Sequence, residues 1–351
     1  MQTPRGIARI ADLANFDAII DVRSPAEFAD DHLPGAINCP VLDNEQRAQV
    51  GTIYKQVSAF EARKLGAAMV AENIARHLYK HFQDKPKNWR PLLYCWRGGQ
   101  RSGSFTTWMR MIGWDACQLE GGYKMFRRHV IDRIEALPPT LRFVVVCGAT
   151  GSGKTRLLDA LSEQGAQVLD LEGLAKHKGS VLGRLPGIDQ PSQKAFETAL
   201  CEQLSRFAPE RPVFVEAESR KIGVIQVPEP LIEQMRASEC VAVEASRDAR
   251  IDFLLSDYAY LGDDIEDLQQ RIDCLRSFHS NATLDEWKRL AAARNLPALF
   301  AAFIDQHYDP LYKRSQNKNY ERFADARPVV LSDLSPASLA AAASELIKAL
   351  K

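Results

Sequence analysis

Residues 142–163 read Arg142-Phe143-Val144-Val145-Val146-Cys147-Gly148-Ala149-Thr150-Gly151-Ser152-Gly153-Lys154-Thr155-Arg156-Leu157-Leu158-Asp159-Ala160-Leu161-Ser162-Glu163. The unbroken apolar run from Phe143 to Cys147 has the pattern of a strand buried on both faces. The next eight residues, Gly148 to Thr155, fit G-x-x-x-x-G-K-[ST] without a gap, and the stretch from Arg156 to Glu163 predicts a helix. Strand, glycine-rich turn and helix in that order make a phosphate-binding loop. Glycines expose backbone amides to phosphate oxygens, Lys154 neutralises them, and the Thr155 hydroxyl is placed to ligate Mg²⁺. Gly148, Gly151, Ser152, Gly153, Lys154 and Thr155 are therefore the expected phosphate-binding residues. Such a loop accepts a nucleotide and any other diphosphate equally well.

Downstream, apolar runs at Gln167 to Leu171, Val213 to Val215, Cys240 to Val243 and Val329 to Leu331 predict four more strands of the same sheet. Between the last two lies a helical block from Asp248 to about Tyr308, read as an insertion into that sheet. Asp170 and Glu172 close the second strand and Glu216 and Glu218 the third, where a metal or an attacking group would find carboxylates. A typical Walker B aspartate is absent, which leaves Mg²⁺ open, and acidic residues at strand ends are often simply solvated. Lys176-His177-Lys178-Gly179-Ser180 follows the second strand; His177, Lys178 and Ser180 are candidates to hold an anion, against the alternative of a solvated basic turn.

Upstream, Leu137-Pro138-Pro139-Thr140 interrupts the pattern between a helix starting near Tyr123 and the strand at Phe143. This seam predicts two domains, residues 1–137 and 141–351. In the first, Phe16 to Val22 and Pro91 to Cys95 read as short buried strands alternating with helices, the mark of a parallel sheet. A mostly helical insertion occupies about 44–82. The strand Leu92-Leu93-Tyr94 delivers Cys95, followed by Trp96-Arg97-Gly98-Gly99-Gln100-Arg101-Ser102 and a helical run through Trp108. At such a turn the glycines let amides converge on one point, the helix end adds positive potential, and Arg97 and Arg101 add charge. The expectation is a thiol of lowered pKa, Cys95, in an anion loop formed by Arg97, Gly98, Gly99, Gln100, Arg101 and Ser102.

With 351 residues, the chain is long enough for two buried cores. Its 45 basic and 45 acidic residues cancel, so any polyanion must meet a local patch. Between Lys85 and Arg110 stand Lys85, Lys87, Arg90, Arg97, Arg101 and Arg110 with no acidic residue, interleaved with Trp89, Trp96 and Trp108. Lys124, Arg127 and Arg128 continue this face, and Tyr312, Lys313, Arg314, Lys318, Tyr320 and Arg322 form a second cluster. Aromatics beside basic groups suit an unstacked RNA base and its phosphates, whereas taken one by one the tryptophans read as core. Seven dispersed cysteines without a Cys-x-x-Cys pair indicate neither a disulfide framework nor a zinc site. No apolar run reaches membrane-spanning length, and Met1 to Arg5 does not read as a secretory signal, so a cytoplasmic protein is expected.

The cysteine loop, with Asp21-Val22-Arg23-Ser24-Pro25-Ala26-Glu27-Phe28 and His32-Leu33-Pro34-Gly35-Ala36-Ile37-Asn38-Cys39-Pro40 before it and Leu119-Glu120-Gly121-Gly122-Tyr123 after it, resembles the rhodanese family of sulfurtransferases. In most sulfur-carrying members the arginine comes five residues after the cysteine. Here Arg101 comes six after, the Cys-x5-Arg spacing of rhodanese-like phosphatases, which widens the ring toward phosphate-sized or selenium-bearing donors. Asp21 and Glu27 belong to that signature and are read as structural.

Taken with Asn44 to Gln56, Glu120-Gly121-Gly122-Tyr123-Lys124, Leu169 to Ser180, Glu218-Ser219-Arg220-Lys221-Ile222-Gly223 and Tyr308-Asp309-Pro310-Leu311-Tyr312, nearly the whole chain resembles the bacterial tRNA 2-selenouridine synthase family. The resemblance implies an α/β protein: a rhodanese-like domain with a parallel sheet, then a P-loop kinase-like parallel-sheet domain with a helical insertion. It implies a transferase that replaces the 2-thio sulfur of wobble 2-thiouridine in tRNA by selenium from selenophosphate, through S-geranylation by geranyl diphosphate. Cys95 would handle the selenium step, as a perselenide or by assisting delivery, and Lys154 with its loop the diphosphate. No tightly bound cofactor is implied; a selenophosphate-producing enzyme is a candidate partner, and the oligomeric state stays open. A second reading from the two loops alone is a cysteine phosphatase fused to a P-loop small-molecule kinase, and a third is a non-catalytic adaptor.

Overall fold

The computed structural model describes residues 6–350, without the side chains of Lys313 and residues 315–317. The stretch Met1 to Arg5 and the Lys313 side chain of the second basic cluster lie outside the described residues. The chain divides into two compact units, Met1–Arg133 with Glu197–Ala199, and Ile134–Phe196 with Leu200–Lys351.

In the first unit the elements run β1 (Ile7–Ala8), β2 (Ala18–Asp21), α1 (Pro25–Asp30), β3 (Ala36–Asn38), α2 (Asn44–Gln56), α3 (Ala59–His81), β4 (Pro91–Tyr94), α4 (Gln100–Ile112), β5 (Cys117–Leu119) and α5 (Gly122–Ala136). The strands form one parallel sheet in the order β1-β5-β4-β2-β3. β4 pairs on both edges and all four of its residues are buried, which is why Pro91-Leu92-Leu93-Tyr94 carries no alternation. Two strands, β1 and β3, were not anticipated; at two and three residues they are too short to show a period.

The helical stretch 44–82 is a hairpin of two helices. Asp43 opens α2 by accepting from the Gln46 amide, and Ser58 opens α3 by accepting from the Phe60 and Glu61 amides. Trp89 is core: it packs 5.2 Å from the rings of Phe82 and Trp114 and is almost fully buried, so it leaves the basic face. Trp96 and Trp108 stay substantially exposed.

The second unit runs β6 (Phe143–Gly148), α6 (Lys154–Glu163), β7 (Gln167–Leu169), α7 (Leu171–Ala175), α8 (Gln193–Arg206), β8 (Val213–Glu216), β9 (Lys221–Ile222), β10 (Ile225–Gln226), α9 (Glu229–Ala237), β11 (Glu239–Ala245), α10 (Arg247–Asp257), α11 (Ile265–Asp273), α12 (Asn281–Ala292), α13 (Leu296–Phe303), α14 (Asp309–Asn319), β12 (Arg327–Leu331) and α15 (Pro336–Ala349). Its parallel sheet has the order β12-β11-β6-β8-β7. β6 is central, with every residue buried between β8 and β11, so the phosphate loop springs from the middle of the sheet.

Three expectations are corrected here. β7 stops at Leu169, because Asp170 turns the chain as the N-cap of α7, its carboxylate accepting from the Gly173 amide at 2.8 Å. The antiparallel pair β9 and β10 was not foreseen, since two residues per strand carry no pattern. The insertion after β11 continues past Tyr308: a π-helical turn, Ile304–Tyr308, joins α13 to α14 and the run ends at Asn319. The block has its own apolar cluster, with Leu254, Trp287, Phe300 and Phe303 buried together. Among the described residues no helix is long and apolar enough to cross a membrane.

Trp287 has no exposed surface in that cluster. Trp287→Ala is expected to cost about 3–5 kcal/mol of stability, measured by denaturant unfolding of the whole chain.

Candidate functional site

Cys95 stands one residue beyond β4, where the strand gives way to the loop that opens α4. Its sulfur accepts from the Gly99 amide at 3.3 Å and from the Ser102 hydroxyl at 3.1 Å. The Ser102 oxygen in turn accepts from Gln118 Nε2 at 2.7 Å, which turns the hydroxyl proton toward sulfur. Burial pushes the thiol up, but the Ser102 hydroxyl and amide, the charge of Arg101 and the Gly99 amide together outweigh it, and Cys95 lies below the ordinary thiol range. By contrast burial pushes the Cys39 thiol up to about 12.

The loop is clamped by the start of α5. Tyr123 and Lys124 donate their amides to the carbonyls of Cys95 and Trp96, each at 2.9 Å. Gly98 at φ +63° and Gly122 at φ +58° meet so closely that a Cβ on Gly122 would lie 2.5 Å from the Gly98 amide nitrogen. Arg101 is held by Glu27 at 2.6 Å, and the same carboxylate accepts from the Ser24 amide at the start of α1. Glu27, read as structural, therefore positions the loop arginine. Asp21 does the structural work expected of it, in a buried pair with Arg23 at 2.6 Å. Arg97, Gly99 and Gln100 are on the exposed side of the loop.

The phosphate loop has the shape its residues imply. Gly151 and Gly153 take φ of +80° and +81°, and α6 begins at Lys154. A cleft of about 370 Å³ opens against it. Its lining includes Gly148, Gly151, Gly153, Lys154 and Thr155, the carboxylates Glu172, Glu216 and Glu218, and the apolar or aromatic side chains Phe253, Leu254, Tyr258 and Leu311. Lys154 lies 3.3 Å from Glu216, and Thr155 donates to the other oxygen of that carboxylate at 2.9 Å. Glu172, Glu216 and Glu218 offer oxygens all within 4.8 Å of one another.

Carboxylates so close repel. Burial first, then the charge of Glu216, holds Glu172 well above the ordinary carboxylate range and pushes Glu218 up to about 8. A hard oxygen set beside a diphosphate loop fits a magnesium ion, which Glu172, Glu216 and Glu218 would hold.

The structure sorts the remaining candidates. Lys178 and Ser180 line the cleft, with Lys178 paired to Asp257 at 2.6 Å and its ammonium 4.4 Å from the centre of the Tyr258 ring. Ser152 is buried within the loop. Asp170 and His177 do not line the cleft: Asp170 caps α7, and His177 lies buried against the β9–β10 turn, near Gly223. Sequence reasoning missed Gln118, Gly122 and Arg250. Arg250 is nearly buried, donates to the Thr150 carbonyl at 2.9 Å and pairs in bidentate fashion with Asp309, bracing the phosphate loop from outside. The words Tyr308-Asp309-Pro310-Leu311-Tyr312 were its one sequence signal.

Ser102→Ala is expected to raise the Cys95 thiol pKa, seen as an upward shift in the pH profile of its alkylation by iodoacetamide. Glu218 makes stability pH-dependent. A carboxylate raised in the fold contributes fully below its ordinary range of about 4.3, and that contribution is lost as pH rises toward and through about 8. Glu218→Gln should flatten this fall, read as melting temperature from pH 4 to 9 without divalent cations.

Known families match each of the two units in turn. A family model described as the rhodanese-like domain matches residues 7–129, and one described as the tRNA 2-selenouridine synthase AAA domain matches residues 141–281. A tRNA 2-selenouridine synthase of Nitrosomonas europaea is 39% identical over 68% of this chain and 63% of its own length. That of Aeromonas salmonicida is 32% identical over 87% of this chain and 88% of its own length. That of Shewanella halifaxensis is 31% identical over 88% and 91%. With the thiol cradle on the first unit, the phosphate loop on the second and both families matched in that order, the chain belongs to the tRNA 2-selenouridine synthase family.

Proposed function

We propose that this protein replaces the 2-thio sulfur of wobble 2-thiouridine in tRNA by selenium in two stages, prenylating the sulfur and then expelling it. The observation that carries this reading is the phosphate-loop cleft with its apolar wall of Phe253, Leu254, Tyr258 and Leu311, suited to a diphosphate bearing a hydrocarbon chain. Geranyl diphosphate supplies both parts. In the first stage the thiouridine sulfur attacks C1 of the prenyl chain, the C–S bond forms as the C–O bond breaks, diphosphate leaves, and the base gives up its N3 proton to water. Lys154 and the amides of Gly151 to Thr155 meet the charge that develops on it. Magnesium bound at the three glutamates would neutralise more of that charge.

The second stage uses the Cys95 cradle. A thiocarbonyl sulfur is a poor leaving group, whereas an alkylated one departs as a prenyl thiol. Selenium in selenophosphate already stands at the selenide level, so its transfer needs no redox partner. A C2–Se bond forms, the C2–S bond breaks, the thiol takes a proton, and water releases phosphate from selenium. A ring of amides with Arg101 beside a thiolate suits the tetrahedral anion of this donor, and Cys95 assists its delivery. The RNA is expected to meet Trp96, Trp108 and the basic groups around them; Lys85 and Arg90 are already paired, with Asp84 and Asp115.

Cys95→Ser should abolish selenium incorporation and leave S-geranylation largely intact. Lys154→Ala should slow geranylation by roughly 10²–10³-fold, the loss typical of removing one group that stabilises a developing anion, and block selenation with it. Mass spectrometry of nucleosides from digested tRNA after a single turnover reads both. A Cys95→Ser protein that still makes 2-selenouridine refutes the assignment.

A further inference from the structure

A second cleft, of about 730 Å³, lies in the first unit between the α2–α3 hairpin and the outer face of α4. Its walls are Val50 and Tyr54 from α2, Ala67 and Val70 from α3, and Arg101 and Trp108 from α4. No role in the two stages above requires an apolar hollow here. Yet it reaches the first turn of α4, the turn that also carries the cradle's Ser102. Ser102, which donates to the Cys95 sulfur, and Arg101, which lines the cleft, are neighbours in the first turn of α4. From Gln100 to Trp108 the helix rises about 12 Å, so the hollow extends from the cradle along two turns of α4.

We infer that this cleft holds the prenyl chain of the S-prenylated tRNA while selenium displaces the sulfur at Cys95. The inference rests on the two-stage reading. When C2 of the modified base sits at the cradle, its sulfur carries a ten-carbon chain that water would otherwise surround, and burying it contributes about 0.8 kcal/mol per methylene. Apolar walls of this size, within the range of small-molecule sites, offer that burial. The charge also fits. Among the described residues that line the cleft, Arg63 and Arg101 are the charged ones and none is acidic, which favours a chain tethered to a polyanion. The long insertion between β3 and β4 then gains a purpose, since α2 and α3 supply half of the pocket. The chain is thus held once at each site, with its diphosphate in the second unit and with its sulfur in the first.

The test uses the full-length protein and a synthetic anticodon stem-loop bearing S-geranyl-2-thiouridine, so that it runs whether or not this protein makes that nucleoside. Ala67 is exposed on α3, and Ala67→Trp fills the cleft without entering the core. The expected result is at least tenfold weaker binding of the geranylated stem-loop, with binding of the 2-thiouridine stem-loop unchanged. Given selenophosphate, the variant should accumulate the S-geranyl form and make correspondingly less 2-selenouridine. Because the RNA itself is expected to reach Trp108, its emission should shift with both RNAs and further with the geranylated one, a readout taken on the wild-type protein by difference from Trp108→Phe.

Equal affinity of wild type and Ala67→Trp for the geranylated stem-loop, with the same Trp108 emission for the geranylated and the 2-thio RNA, overturns the inference. So does a change confined to the oligomeric state, which would assign the hollow to a second copy of the chain. Failure of the wild-type protein to geranylate tRNA from geranyl diphosphate refutes the two-stage reading instead, and leaves the binding result to decide the cleft.

Discussion

Both sites depend on one backbone constraint: a parallel strand, paired on either edge, ends where a helix begins with its first amides unpaired. Those amides must find an acceptor: at one turn the Cys95 sulfur takes the Gly99 amide, and at the other the glycine-rich loop opens onto a cleft. Glycine is what makes this possible. Gly151 and Gly153 take positive φ so that consecutive amides point inward, and Gly98 and Gly122 press backbone against backbone where no Cβ fits. What stands at the centre then differs. In the first unit it is the sulfur of Cys95, and in the second it is open space beside Lys154.

The charges around each hollow are arranged in opposite ways. In the cradle, an arginine held by Glu27 and a hydroxyl held by Gln118 converge on one thiolate, and their combined effect exceeds the burial penalty. In the phosphate cleft, three glutamates crowd Lys154, and burial with mutual repulsion holds Glu172 and Glu218 back from ionising while Glu216 pairs with the lysine. A diphosphate alone would add to that repulsion; with a divalent cation the same glutamates become ligands. This makes the second site dependent on what accompanies the diphosphate, whereas the first is complete in the polypeptide.

Much of this was legible in the residues. The apolar runs at Phe143, Val213 and Cys240 placed the central strands because burial on both faces leaves a nearly uninterrupted pattern, and the two loops announced themselves by spacing. Strands of two or three residues left no pattern to read. Asp170 looked like a strand-end ligand because an N-cap aspartate and a catalytic one occupy the same kind of position, and the hydrogen bond to Gly173 decides between them. Trp89 looked like part of a basic and aromatic face until its packing on Phe82 and Trp114 put it in the core. Gln118 left no signal and Arg250 only that of its partner Asp309, since each acts on a loop distant in sequence through one side chain.

The residues in order determined the elements and the chemistry available to each turn, because strand pairing, glycine conformation and the nature of a nucleophile are local properties. The tertiary structure alone decided which side chains would share a hollow. Glu172 reaches Glu216 and Glu218 only because β7 pairs with β8 and brings the two strand ends together, and Val50, Val70 and Trp108 enclose one cleft only when the α2–α3 hairpin lies on α4. Those meetings are set by packing between segments far apart in the chain, and no spacing along it encodes them.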